Sequence, residues 1–187
     1  MRKEFLIDPG VQIKIDLDPN PAEMAPMKRT LVTFVVGTVL CLGLHSAAAA
    51  DKLDVSTVIT KADAEAILGV PVRDAKGRNK EGDDGFYDSE WSYYAVKGDK
   101  ALVLNVVFTK PGITEKMFSV LSAEGDKPTP VEGFGDKAVF YKGKTILLYV
   151  LNILKGNVMV TIGMNGVPPE TALEQEKSIA KKILAQL

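Results

Sequence analysis

The chain has 187 residues, a net charge of −1, one cysteine and one histidine. It carries no basic field of the kind that recruits nucleic acid or an anionic membrane. Both Cys41 and His45 fall in a stretch expected to be removed, which excludes disulfide, thiolate, Cys/His zinc, His-triad and ordinary haem chemistry from what remains.

That stretch begins at Met27. Lys28 and Arg29 give a short positive start, Leu31 to Leu44 is apolar, and Ala48-Ala49-Ala50 ahead of Asp51 fits an A-x-A cleavage site. The apolar part falls short of the roughly 20 residues that a membrane-spanning helix needs. Residues 27–50 therefore read as a secretory signal peptide, which puts the mature chain, Asp51 to Leu187, in the periplasm or outside the cell. Residues 1–26 carry Glu4, Asp8, Asp16, Asp18 and Glu23, unlike any signal-peptide leader, and read as a non-native or disordered extension. A chain the length of residues 51–187 can bury about two-thirds of its unfolded surface, so a single domain can stand without disulfides.

Asp51 to Ile59 reads as extended. Thr60 followed by Asp63 is a helix-start signature, and Gly69 and Pro71 end that helix. Val72 to Asp88 is polar and reads as a loop. Its run Glu81-Gly-Asp83-Asp84-Gly invites a calcium reading, but EF-hand spacing would put Lys80 and Trp91 at the first and last ligand positions, so no metal site is assigned. Glu90–Lys97 and Lys100–Thr109 form a hairpin turning at Lys97-Gly98-Asp99. Ile113 to Glu124 follows a helical period with Ile113, Met117, Val120 and Leu121 on one side, and Gly125 ends it.

Pro130 to Gly166 holds a glycine turn and three apolar runs, Ala138–Tyr141, Thr145–Leu154 and Val158–Met164, separated by Lys142-Gly143 and Lys155-Gly156. This spacing predicts a three-stranded antiparallel meander. The middle run is apolar on both faces, as a strand covered on both sides would be. One of its faces, Tyr149, Leu151 and Ile153, is the candidate surface for an apolar ligand. Gly133, Gly135 and Asp136 form the turn ahead of the meander. A Gly-x-Gly cradles phosphate when it leads into a helix, but this one leads into a strand. Its assigned role is structural, with the Asp136 carboxylate accepting backbone N–H bonds. Pro168-Pro169 starts the last helix. Leu173, Glu176, Ile179, Ala180, Ile183, Leu184 and Leu187 lie on its inner stripe, broken by Glu176 alone, while Glu174, Lys177, Lys181 and Lys182 face water.

The predicted fold is α+β: an antiparallel sheet of about five strands with an N-terminal, a middle and a C-terminal helix, the last docking on the sheet. Two motifs are similar to those of small bacterial secreted proteins and lipoproteins of unknown function: Thr60-Lys-Ala-Asp63-Ala-Glu65-Ala-Ile-Leu68-Gly69 and Gly133-Phe-Gly135-Asp136-Lys-Ala138-Val-Phe140. The resemblance implies a PsbP-like α+β sandwich and implies no activity. The functional expectation is a non-enzymatic binding or accessory module without a cofactor, whose partner is a protein or an apolar small molecule. The alternative is a carrier holding an apolar ligand between the sheet and the C-terminal helix. An enzyme working through Asp83 or Asp84 with Glu90 is the third reading, and no spacing here places such a pair in one cleft.

Overall fold

The computed structural model describes residues 52–123, 125–144 and 148–187. The expected leader, signal peptide and cleavage site lie outside these residues, as do Thr145, Ile146 and Leu147 at the start of the predicted middle strand. Short and polar elements come first. Asp54 caps a single helical turn, α1 (Val55–Val58), through its carboxylate and the Ser56 N–H. This replaces the extended segment expected over Asp51 to Ile59. In α2 (Lys61–Leu68), Thr60 and Asp63 form a reciprocal capping box, and Gly69 ends the helix in the left-handed region at φ 67°. The Lys100 ammonium closes the far end by donating to the Leu68 carbonyl at 2.8 Å.

The sheet contains β1 (Lys76–Glu81), β2 (Tyr87–Tyr94), β3 (Ala101–Phe108), β4 (Gly125–Pro130), β5 (Lys137–Gly143), β6 (Tyr149–Lys155) and β7 (Val158–Asn165). Its order is β1-β2-β3-β7-β6-β5-β4, antiparallel at every junction. The class is α+β, and the sheet has seven strands where about five were expected. The two additions are the edges. Lys76–Glu81 has no apolar residue to alternate and is exposed along its whole length, and Gly125–Pro130 carries two prolines. Neither shows the period-2 pattern that marks a half-buried strand. The expected meander is present as β5, β6 and β7, and β7 joins it to β3 across eight register pairs.

Register sets the two faces. One face carries Tyr87, Ser89, Trp91 and Tyr93 of β2 and Leu102, Leu104, Val106 and Phe108 of β3. It continues through Val158, Val160, Ile162 and Met164 to Tyr149, Leu151 and Ile153. These residues form the main core with α1, α2 and α4 (Pro169–Leu184). Ser89 Oγ accepts from the Val55 N–H at 3.0 Å, and the Tyr93 hydroxyl donates to the Ile59 carbonyl, so the N-terminal helices are pinned to the sheet by buried polar contacts.

The opposite face packs on α3 (Ile113–Ala123) through a smaller cluster of Val107, Phe118, Leu154 and Met159. The expected inner side of α3 is corrected here. Ile113 and Val120 are about half exposed or more (48% and 59%), while Thr114 and Phe118 point inward with Met117 and Leu121 beside them. Met117 and Leu121 of the expected stripe stay on the packed side, and Phe118 takes the buried place expected for Ile113 and Val120. All described residues belong to one compact unit, and none of their helices is long and apolar enough to cross a membrane.

Candidate functional site

The C-terminal helix decides what is sealed and what is open. Pro169 starts it, where the missing N–H costs nothing. Ala172, Glu176, Ile179, Ala180 and Ile183 are its buried residues and cover β6 and β7. Lys182 donates to Asp63 Oδ1 at 2.7 Å and Gln175 Nε2 to the Ile67 carbonyl at 2.7 Å, so α4 is tied to α2 at two points. Lys182 therefore bridges two helices where a purely water-facing side chain was expected. The Lys182 ammonium, then Thr60, hold the Asp63 carboxyl down to about 2.

Leu151 and Ile153 lie beneath this helix with no exposed surface. Ile179 and Ile183 belong to the same cluster, so the space over these two candidate ligand-face residues is already filled. Tyr149, the third, is half-buried and stands at the margin. Its ring stacks on Phe140 with centroids 6.0 Å apart at 14°, and Lys142 Nζ sits 6.0 Å from its centre.

Phe140 is the floor of an open cleft of about 420 Å³. One wall is the outer flank of α4, with Glu170, Leu173 and Lys177, and the other is the Thr129–Glu132 segment, with Pro130 and Val131. α4 crosses β6 and β7 but leaves this part of β5 uncovered. The rim carries Glu132, Glu170 and Lys177 around an apolar floor, a net single negative charge, and Lys177 is itself paired with Glu174 at 2.9 Å. The volume falls in the range of small-molecule sites.

One residue along the helix from this flank, Glu176 faces the sealed side. It has no exposed surface, and neither carboxyl oxygen closes a full hydrogen bond. Burial pushes its carboxyl up to about 10, with the Met164 N–H acting in the opposite sense. The group is a neutral acid at pH 7. It does not line the cleft, and its position reads as a cost to the fold.

The glycine turn has a definite place. Asp136 N–H donates to the Leu154 carbonyl at 2.7 Å, and its carboxylate accepts from the Gly156 N–H at 2.7 Å. The turn before β5 is thereby tied to the β6–β7 hairpin. Gly133 and Gly135 both have positive φ, 83° and 57°. A Cβ on Gly135 would come within 2.3 Å of the Leu154 carbonyl oxygen, so this position needs glycine twice over. The chain then enters β5 and no helix.

The carboxylates named as a conceivable pair are held apart by topology. Asp83 and Asp84 occupy a 3₁₀ turn, Asp84 at φ 62° and paired with Lys110 at 2.9 Å. Glu90 stands in the middle of β2, opposite Arg78 and Asn105, three residues or about 10 Å along the strand from Tyr87. Among the described residues no group of three or more His, Cys, Asp or Glu is placed to hold a metal ion.

Phe140, Leu173, Val131 and Lys177 were not singled out as a site from sequence. Phe140 was visible as the aromatic that closes the Gly133–Phe140 motif, and Leu173 as part of the helical stripe; nothing local says that they meet. The geometry defines an α+β domain with an apolar cleft beside its last helix. The chain matches no protein-family model, and no curated protein or solved structure matches it significantly.

Proposed function

We propose that the protein is an exported, non-enzymatic binding or accessory domain, and that it takes an apolar group in the cleft between α4 and β5. The observation that carries this reading is the Phe140 ring, backed by Tyr149 and facing Leu173 across a cleft that α4 does not fill. Export is supported by the Met27 to Ala50 layout, and the resemblance of the two motifs to those of small bacterial secreted domains favours the same class. The apolar floor favours a neutral ligand or a short apolar side chain, and the mildly acidic rim disfavours an anion.

The test uses N-phenyl-1-naphthylamine, a neutral fluorophore that brightens in apolar sites. Saturable binding is expected, weakened on the order of tenfold by Leu173→Glu, because a carboxylate set against the ring must be desolvated. An unchanged thermal melt of that variant keeps the result specific to the cleft. Absence of saturable binding, or binding indifferent to Leu173→Glu, overturns the proposal. For export, intact mass should show an N-terminus at Asp51; a full-length cytoplasmic species as sole product would refute it.

A further inference from the structure

The two edges of the sheet are built differently. At β4, Pro128 and Pro130 lack the N–H that a neighbouring strand would need, Lys127 sits at φ 49°, and the pairing with β5 shifts register between Asp126 and Thr129. These are the devices that stop a sheet from growing. β1 has none of these backbone devices and is guarded by charge alone. Its six residues pair with β2 in unbroken register, contain no proline, and are all exposed. An antiparallel edge strand directs every second residue's N–H and C=O outward, so β1 offers a ladder to a further strand.

Its side chains say which strand. Lys76, Arg78 and Lys80 alternate onto one face, about 7 Å apart by strand geometry. None of the three makes an ion pair among the described residues, although Arg78 stands opposite Glu90 and Lys80 opposite Asp88. Asp88 is turned the other way and accepts from Asn105 Nδ2 at 2.6 Å. The alternate side of β1 is already engaged: Asn79 donates to Asp54 at 2.7 Å, and Glu81 pairs with Lys52 at 2.7 Å. The cationic row is thus the uncommitted side. It works against a second copy of this chain, because antiparallel self-pairing sets cation against cation. It works for a strand with acids at alternate positions.

We infer that β1 is a docking edge for an extended acidic segment of a partner protein, which adds to the sheet as a further strand with its acids opposite Lys76, Arg78 and Lys80. The mode is strand addition, with main-chain bonds giving affinity and alternate side chains giving selectivity.

Trp91, the sole tryptophan, reports on this edge. It is the register partner of Gly77, close enough that a Cβ there would meet the indole at 2.6 Å, and its Nε1–H points to Asn79 Oδ1 at 3.4 Å. The protein is titrated with a short peptide alternating Glu and Thr, and with the same peptide N-methylated at alternate residues. The plain peptide should change Trp91 fluorescence saturably. N-methylation, which keeps the charge and removes the backbone donors, should weaken binding on the order of tenfold or more, as should the triple variant Lys76→Glu/Arg78→Glu/Lys80→Glu. A peptide alternating Lys and Thr should bind that triple variant, which shows at once that the variant is folded. Equal binding of plain and N-methylated peptides would mean ionic adsorption only. That outcome, no binding of the plain peptide, binding indifferent to charge reversal, or sedimentation showing that β1 joins two copies of this chain, each overturns the inference.

Discussion

Two parts of the same sheet face lie side by side and differ in what covers them. Over β6 and β7, α4 lays down Ile179, Ala180 and Ile183, and Leu151 and Ile153 lose all contact with water. Over β5, the helix has already passed, and Phe140, with Tyr149 at the near end of β6 stacked on it, remains half-buried beneath an open cleft. On this face β5 presents Ala138 and Phe140 opposite Ile153 and Leu151 of β6, all four apolar, so apolar character does not separate core from site. The lateral position of one helix does. The helix also reverses its chemistry across that boundary within two residues, with Glu176 neutral and enclosed on the sealed side and Lys177 on the open one.

The comparison breaks most completely if α4 is removed. Deleting residues 170–187 strips the cover from β6 and β7 and should abolish the cooperative melt, because neither the helix stripe nor the strand face is stable in water alone. Within the intact chain, Ile183→Ala should cost about 2–5 kcal/mol in chemical denaturation, from lost transfer energy and the cavity left behind. Leu173→Ala, on the open flank, should cost much less. Equal losses at the two positions would erase the distinction.

Glu176 sharpens the comparison through pH. The unfolded chain releases this proton in the ordinary carboxylate range, whereas the fold keeps it until about 10. Between those limits the folded state holds the extra proton, so stability falls as pH rises, by up to about 1.4 kcal/mol per unit. Glu176→Gln should flatten that slope between pH 5 and 8, and Glu176→Met should raise the denaturation midpoint at pH 7, since an enclosed polar group without a partner is costly. A wild-type midpoint independent of pH over that range would show that the carboxyl is not held neutral. Asp63 acts in the opposite sense and only in acid: its lowered carboxyl adds stability above the usual Asp range, lost as pH falls toward 2.

Smaller effects belong to the ties around the two regions. Asp136→Ala removes the acceptor for the Gly156 N–H and should cost about 1–2 kcal/mol without touching binding in the cleft. Lost probe binding at an unchanged midpoint would instead make the turn a site. Lys182→Ala cuts the bridge from α4 to Asp63, but both side chains are partly in water, so the loss should stay under about 1 kcal/mol.

What could be read from the chain alone follows from how local each signal is. The Thr60–Asp63 capping box and the meander were legible because their determinants lie within a few residues of each other. Glu176 was legible as a flaw in an otherwise apolar stripe. β1 and β4 were not, because an edge strand takes its conformation from its neighbour and needs no apolar alternation of its own. The inner side of α3 was legible at Met117 and Leu121 and misread at Ile113 and Val120, which are apolar yet lie outward. The cleft was beyond reach for a different reason. It depends on where α4 stops across the sheet, and no spacing of residues encodes that directly.

The most direct test is a side-chain NMR titration with N-phenyl-1-naphthylamine. The account predicts that the perturbed signals cluster at Phe140, Val131 and Leu173, with Leu151, Ile153 and Ile179 unmoved. Perturbation centred on Leu151 and Ile153, with loss of the contacts to Ile179 and Ile183, would contradict it, because the ligand would then enter beneath α4 and the helix would be a lid.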